Sequence, residues 1–379
     1  MIPIVSPEID EVEINAVKEV MATKYLAEGN KIHDFEKAFA EFIGVKHAIA
    51  CTNGTTALHL SLEGLNIQPG DEVITSPFTF VASSNSILFS GSVPVFSDIK
   101  DDTWNIDPEK VEELITPKTK AIMPIHIFGL ASDIPALNDI AEDRDLLIIE
   151  DACQAHGAKI NGKHVGTMGD VGAFSFYATK NLITGEGGMV VTDDDDIARR
   201  ITSLKNHGRP PEGGYHHNLI GYNYRATNLV GAIGEAQMSK LPSLLEKRSQ
   251  NADFIRKGSE DLSSEIVFQK IPEGYTHGNY VMVFRIKRDD VKPEEVIKKL
   301  KEKGVGARQI YAVLSYEQPA YQNISNWKWA KFVNYPDYTK TKCPIAEKLS
   351  KTHVEIPVVP SMNQDDREKV VTVLHEIFK

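Results

Sequence analysis

An α/β fold built around a mainly parallel sheet is what the sequence predicts, and three observations predict it. Segments with the character of buried strands alternate with amphipathic segments from His47 to Asp151. Turn and capping residues sit at the junctions between them. The chain, at 379 residues and 41% hydrophobic content, is long enough for a large core and a second, smaller one.

The elements follow in order. "HDFEKAFAEFIG" sets Phe35, Ala38, Phe39 and Phe42 at i, i+3, i+4 and i+7 and ends at Gly44, so it is a helix lying on a core. "HAIAC" is a short buried strand, "TNG" a turn and "TTALHLSLEGL" a helix; "PGDEVIT" is a turn and strand, "FVASSNSILFS" a helix and "VPVFSDI" a strand. In "NIDPEKVEELI", Asp107 caps and Pro108 suits the first helical turn; the strand "KAIMPIHI", a helix from about Ser132 and the strand "LLIIED" follow. Strand and helix in turn imply a mainly parallel sheet covered on both faces. From Gly172 the character changes: "GAFSFYAT" and "GMVVT" are strands joined by a glycine-rich link, and "DDDDIARRITSLKNHG" is a helix with an acidic start. A long helix is expected from Asn228 to about Arg248. Beyond it, "YVMVFRIK", "KPEEVIKKLKEKG" and a final helix after "SMNQDD" form a block with its own apolar residues. The predicted division is a large domain over 1–250 and a smaller C-terminal α/β domain over 251–379.

Composition narrows the function classes. Lys and Arg number 42 against 53 Asp and Glu, a formal net charge of −11, and there is no basic run of the kind that tracks a nucleic-acid backbone. No apolar run reaches the roughly 18 residues a membrane helix needs, and the acidic, proline-bearing start "MIPIVSPEIDEVEINAV" is unlike an export signal. Three scattered cysteines, Cys51, Cys153 and Cys343, suggest a reducing compartment, so the cytoplasm is expected. The run Asp193 to Asp196 lacks the alternating spacing of a calcium loop and reads as a solvated helix start.

Four features gather at predicted strand ends, where open α/β sheets place ligands. "TNGTTALH" sets Gly54 and Thr55 at a strand-to-helix turn, which either holds a phosphate on free N–H groups and a hydroxyl or is ordinary capping. "LLIIEDACQAHGA" runs an apolar strand into Glu150 and Asp151, followed by Gln154 and His156. Strand alternation sends the two carboxylates to opposite sides, so only one need face a site; it could bind metal, act as a base, hold a cationic ring nitrogen or cap a helix. "FSFYATKN" carries Ser175 and Lys180 through a stretch poor in charge, where burial favours a neutral, nucleophilic amine. "GYNYRATN" offers Asn223 and Arg225 among aromatics, either for an anionic group or for packing. Phosphate turn, strand-end acid, serine and lysine together fit the needs of pyridoxal 5'-phosphate.

With "NGTTALHLSL", "PGDEVITSPFTFVASSNSI", "PVFSDI", "EDACQAHGA", "FSFYATKNL", "GEGGMVVT" and "GYNYRATN" in order, the sequence resembles the DegT/DnrJ/EryC1/StrS sugar aminotransferases, from about residue 3 to the C-terminus. The resemblance implies the type I fold of pyridoxal phosphate-dependent transferases. It implies that Lys180 forms the internal aldimine and moves the proton between the two carbon positions, that Asp151 keeps the pyridine nitrogen protonated, and that Gln154 bonds the ring's phenolic oxygen. Phe80 matches the aromatic that stacks on the ring; Gly54, Thr55 and Ser175 would hold the phosphate, joined by Asn223 from the neighbouring subunit of a homodimer. Family dehydratases replace the lysine with histidine, so Lys180 points to transamination, with glutamate as donor and a nucleotide-linked keto-sugar as acceptor. "NYRATNLVGAIGEAQ" looks closest to enzymes that aminate the 4-keto carbon of a 6-deoxyhexose, such as the perosamine synthases. Two departures stand against the family pattern: Tyr316 occurs in "YAVLSYEQPAY" where many relatives have histidine, and "IPVVPSM" lacks a histidine before its second proline. Tyr311 and Tyr316 either report an altered substrate or are packing residues.

Other classes compete. A catalytically silent sensor or scaffold retaining the fold is one, and a family enzyme acting on a non-nucleotide keto-sugar or cyclitol is another. A nicotinamide dehydrogenase would need a G-x-G-x-x-G after an early strand, and "GEGG" lies between two strands. A cysteine desulfurase would need a mobile cysteine, which Cys153 beside the acid is not. Adjacent His216 and His217 point in different directions and make no metal site, so none is expected.

Overall fold

The computed structural model describes residues 1–379. Seven strands form the central sheet: β1 (His47–Cys51), β2 (Glu72–Thr75), β3 (Val93–Phe96), β4 (Thr119–Met123), β5 (Leu147–Asp151), β6 (Val171–Ser175) and β7 (Gly188–Thr192). Their order is β1-β7-β6-β5-β4-β2-β3. Pairings from β6 across to β3 are parallel, and β7 alone runs against its two neighbours.

The period-two alternation of strands explains why this sheet carries two cores. Ile74, Ile122, Ile148, Phe174 and Val191 face one side, against Ile32, Phe35 and Phe39 of α2 (Asn30–Ile43) and Leu137 and Ala141 of α5 (Ile134–Arg144). Val73, Ala121, Ile149, Ala173 and Val190 face the other, against Ala57, Leu58 and Leu60 of α3 (Gly54–Gly64) and Ile201 and Leu204 of α6 (Asp195–Lys205). Between them in sequence lies α4 (Ala82–Phe89). The predicted caps are present: Asp107 accepts a hydrogen bond from the Glu109 N–H ahead of Pro108, and Gly44 ends α2 at φ +77°.

Two elements differ from expectation. A first helix, α1 (Glu11–Thr23), precedes α2, held by a reciprocal Asp10–Glu13 cap. The long helix α7 runs Asn228–Gly258, past Arg248, and stays helical through Pro242. Position 250 therefore lies inside α7, whose Ala252 and Ile255 join a separate C-terminal core. That core covers an antiparallel sheet of β8 (Ile266–Phe268), β9 (Met282–Ile286) and β10 (His353–Ile356) with α8 (Pro293–Glu302) and α9 (Gln364–Phe378), and Ile2 from the N-terminus enters it. An aromatic cluster including Phe78, Phe96, Phe128, Tyr316, Tyr321 and Tyr338 joins loops of the large sheet to the C-terminal segment. No helix is long and apolar enough to cross a membrane.

Candidate active site

The apolar run of β5 ends in two carboxylates, and the pleat separates them as alternation requires. Glu150, fully buried, accepts hydrogen bonds from the N–H groups of Gly166 (2.8 Å), Met168 (2.6 Å) and Gly169 (2.8 Å) and lies 3.0 Å from His126 Nε2. Burial pushes its pKa up, but the His126 bond and the N–H donors outweigh that and hold it below the ordinary range. Asp151 turns the other way. It is 3% exposed and accepts from Ser83 Oγ at 2.7 Å and from the Cys153 N–H at 3.1 Å, and no lysine, arginine or histidine pairs with it.

Ser83 projects from α4, and its hydroxyl, donated to the acid, also lies 3.3 Å from the Phe80 carbonyl, bringing the loop after β2 to the acid. Phe80 itself is largely exposed and lines a cleft of ≈ 530 Å³ with Thr79, Asn85, Tyr311, Ser315 and Gln318. Gln154 is buried between the Phe128 N–H, which donates to its Oε1 at 3.1 Å, and the Tyr311 hydroxyl, 3.2 Å from its Nε2. Phe128 and Tyr311 stack with rings 6.1 Å apart and 5° from parallel, both at positive φ (61° and 57°). Left-handed backbone is costly for aromatic residues, so surrounding contacts hold both in place.

The turn into α3 meets the end of β6. A Cβ added at Gly54 would lie 2.6 Å from Ser175 Cβ and 3.1 Å from Cys153 Sγ, so only glycine permits this approach. Asn53 caps the helix by accepting from the Thr56 N–H at 2.9 Å; the N–H groups of Gly54 and Thr55 have no partner within the helix. The Thr55 hydroxyl bonds to nothing in the chain. Five residues past Ser175, half-buried Lys180 holds its Nζ 4.1 Å from the centroid of the Tyr280 ring and meets no carboxylate. Its charge opposes the rise of the Cys153 pKa and adds to the fall of the His156 pKa, in both cases as a smaller effect than burial. Burial and the charge of Asp151 raise the Cys153 thiol well above its usual range against the pull of Lys180, leaving it a neutral thiol. Burial, with smaller pushes from Tyr280, Glu355 and Asp151, likewise keeps the Tyr311 phenol protonated.

The structure thus gathers Gly54, Thr55, Asp151, Gln154, Ser175, Lys180 and Tyr311 at one end of the sheet, with Phe80 at its rim. Asn223 is not among them: it is exposed, pairs through its backbone with Asn206 and makes no side-chain hydrogen bond. Arg225 is held by Asn206 Oδ1 at 2.8 Å. Of the two alternatives for Tyr316, substrate contact and packing, the structure gives packing and not a substrate contact. The residue is 2% exposed, its hydroxyl donates to Glu347 Oε1 at 2.8 Å, and it packs on Phe96, so it is a core residue. Two contributors escaped the sequence reading. Ser83 had a signal in the serine-rich start of "ASSNS", but nothing near Tyr280 marked it.

Comparison with known proteins gives the family of the chain. Residues 7–375 match the DegT/DnrJ/EryC1/StrS aminotransferase family. The chain is 35% identical over its whole length, and 98% of the relative's, to a protein of Caulobacter vibrioides named GDP-perosamine synthase. It is 33% identical to a protein of Acidithiobacillus ferrooxidans named UDP-N-acetyl-3-dehydro-alpha-D-glucosamine 3-aminotransferase, over 97% of this chain and 94% of the relative. Among solved structures, NtdA from Bacillus subtilis, containing bound cofactor PMP, superposes with a TM-score of 0.87 at 30% identity, covering 97% of this chain and 81% of that one. The chain belongs to the DegT/DnrJ/EryC1/StrS family of pyridoxal phosphate-dependent aminotransferases.

Proposed function

We propose that this aminotransferase moves an amino group from glutamate to the 4-keto carbon of a nucleotide-linked 6-deoxyhexose, with pyridoxal 5'-phosphate held at the end of the sheet. One observation carries the cofactor reading: Asp151 is a buried carboxylate that pairs with no basic side chain, and Lys180 faces the Tyr280 ring and pairs with no acidic one. Unpaired charges are costly inside a protein, and a ligand with a cationic ring nitrogen and a carbonyl relieves both. The turn fits as well, since the missing Cβ at Gly54 lets Ser175 approach N–H groups at a helix N-terminus, where a phosphate is favoured.

When bound, the cofactor supplies an aldehyde and an electron-accepting ring through which nitrogen passes from donor to acceptor. In this reading Asp151 holds a proton on the ring nitrogen, oriented by Ser83 and the Cys153 N–H. Gln154, fixed from both ends by Phe128 and Tyr311, turns its amide toward the ring's phenolic oxygen. Gly54, Thr55 and Ser175 bind the phosphate, and Phe80 covers the ring from the rim. Lys180 takes up and returns a proton at the reacting carbons. Asn223, exposed and free of side-chain bonds, completes the phosphate site of a second copy, so the working unit is a homodimer. Its place is the cytoplasm, in keeping with three free cysteines.

The 4-keto preference rests on the similarity to the Caulobacter protein, and the sugar enters by the cleft between Phe80 and Tyr311. The similarity to the Acidithiobacillus protein favours a second reading, amination at carbon 3. A panel of nucleotide-linked 3-keto and 4-keto sugars assayed with glutamate, following 2-oxoglutarate release, separates the two. Turnover of the 4-keto-6-deoxy substrates is expected; turnover of 3-keto sugars alone rejects the first reading. A protein that stays colourless with pyridoxal phosphate and turns over neither rejects both and favours a silent scaffold.

A further inference from the structure

We propose that Tyr280, from the segment just ahead of β9, is a positioning residue for the Lys180 amine. The inference rests on the reading of Lys180 as the reacting group.

Three consecutive residues of the lysine loop dock on two residues, Gly278 and Tyr280, of one distant segment. The Thr179 hydroxyl lies 3.0 Å from Tyr280 Oη, Lys180 Nζ stands 4.1 Å over the Tyr280 ring, and Asn181 Nδ2 donates to the Gly278 carbonyl at 2.7 Å. Lys180 has no other polar partner for its side chain, so the ring face is what directs its amine. An aromatic face suits this task better than a carboxylate. It attracts the ammonium without tying it to one direction, and when the amine is neutral the ring remains a flat, apolar wall along which it can swing. A carboxylate at the same place would hold the charged form and block its chemistry.

The segment that carries Tyr280 is itself fixed from several sides. The Gly278 N–H donates to the Gly129 carbonyl at 2.7 Å, and the Asn279 N–H donates to His277 Nδ1 at 2.8 Å. Arg248 of α7, almost fully buried, donates from Nη1 to the carbonyls of Asn279 (3.2 Å), Tyr280 (3.1 Å) and Val358 (3.4 Å). A Cβ at Gly129 would come within 3.0 Å of the Asn279 N and 3.1 Å of the Tyr280 N, so glycine is needed for the segment to sit so close to the site. A guanidinium placed where it meets three carbonyls and no carboxylate does not maximise stability. It pins the backbone of Tyr280. The amine supplied by the large sheet is thus aimed by a residue from the connection between β8 and β9 of the C-terminal sheet, and α7, which enters both cores, is the brace between them.

The test measures cofactor capture rather than turnover. Protein stripped of cofactor is mixed with pyridoxal phosphate and quenched with borohydride at timed delays, and the pyridoxyl label is mapped by peptide mass spectrometry. Tyr280→Leu is expected to slow labelling of Lys180 about tenfold, at the upper end of what a partly desolvated cation–π contact supplies, and to spread label to other lysines. Tyr280→Phe keeps the ring but loses the hydroxyl bond, and Thr179→Val loses the same bond from the other side; each is expected to slow capture about threefold. A merely structural role would lower the thermal midpoint without changing the rate or selectivity of capture by the folded fraction. Capture by Tyr280→Leu at the wild-type rate and on Lys180 alone overturns the proposal. If that variant does not fold, wild-type capture by both Tyr280→Phe and Thr179→Val overturns it equally. Absence of label on Lys180 in the wild-type protein instead rejects the reading on which the inference rests.

Discussion

Lys180 and Lys205 are both drawn in from solvent beside the same sheet, and the fold treats them in opposite ways. Lys205, 3% exposed, lies 2.8 Å from Glu28, 3.4 Å from Glu36 and 3.0 Å from the Ala50 carbonyl. Burial alone would lower its pKa, but the two glutamates more than reverse that. Lys180 has a ring face and no counter-charge. Adjacent residues of β5 repeat the contrast, Glu150 being met by three N–H groups and a histidine while Asp151 meets only one hydroxyl and one N–H. A charge fully answered within the chain serves the fold, and one left unanswered at a strand end is kept for a ligand.

The largest effect belongs to Lys180. Lys180→Arg retains the charge but not the nucleophile, so glutamate-dependent turnover should fall by more than about 10³-fold, the scale of losing a covalent group. Its thermal midpoint should stay within about 2 °C of wild type, because no partner is stranded. Lys205→Met should do the reverse. It leaves half-buried Glu28 without its cation and Glu36 with only His33, 3.1 Å away, and should cost about 3–5 kcal/mol in urea unfolding, with turnover per folded molecule close to normal. A stable Lys205→Met or an active Lys180→Arg would break the contrast.

The β5 carboxylates sharpen it at smaller magnitude. Glu150→Gln points an amide N–H at a nest of N–H donors and should destabilise the protein by about 2–4 kcal/mol. Asp151→Asn keeps its bonds to Ser83 and the Cys153 N–H but loses the charge, so turnover should fall about 10²–10³-fold while the unfolding midpoint barely moves. Equal loss of stability in both variants would mean that Asp151 too is a structural carboxylate.

How far such differences can be read in the sequence depends on whether the signal is local. The strand-end acid, the Gly54 turn and the Lys180 stretch were legible because each requirement is met within a few residues: an apolar run, a residue without a Cβ, a lysine among neutral neighbours. The sheet was legible for the same reason, since alternation along each strand already sorts Ile74 from Val73. Ser83 and Tyr280 act through contacts 68 and 100 residues away in the chain; the serines of "ASSNS" hint at the first without singling out the one that meets Asp151, and nothing near Tyr280 announces the second. Residue type carries no information on burial, which leaves Tyr316 open in the sequence between substrate contact and packing; the partnership with Glu347 forms only when the C-terminal segment packs on Phe96. The length of α7 was underestimated because the part beyond Arg248 is stabilised by the C-terminal core rather than by propensity.

The smallest expected effect concerns a third way of burying a titratable group, which is to keep it neutral. His156 is 2% exposed, lies 5.5 and 5.7 Å from the rings of Phe174 and Phe176, and bonds through neither ring nitrogen. Burial first, then the charges of Lys180 and Arg248, push its pKa down to about 3. An unfolded histidine titrates near about 6.5, so as the pH falls below that value the unfolded chain takes up a proton that the folded chain refuses. The stability this group confers is complete above the unfolded pKa and is lost as the pH drops toward the folded one, by about 1.4 kcal/mol per pH unit. Between neutral pH and about pH 5 the loss is about 2 kcal/mol. His164, pushed down to about 4 by its own burial, adds a similar slope, so His156 must be isolated by difference. His156→Phe, with a ring suited to the same aromatic contacts, should show about 2 kcal/mol less change in urea stability over that range than the wild-type protein. An unchanged slope would mean that His156 accepts its proton in the folded state, so that burial against Phe174 and Phe176, reinforced by Lys180 and Arg248, does not hold the ring neutral.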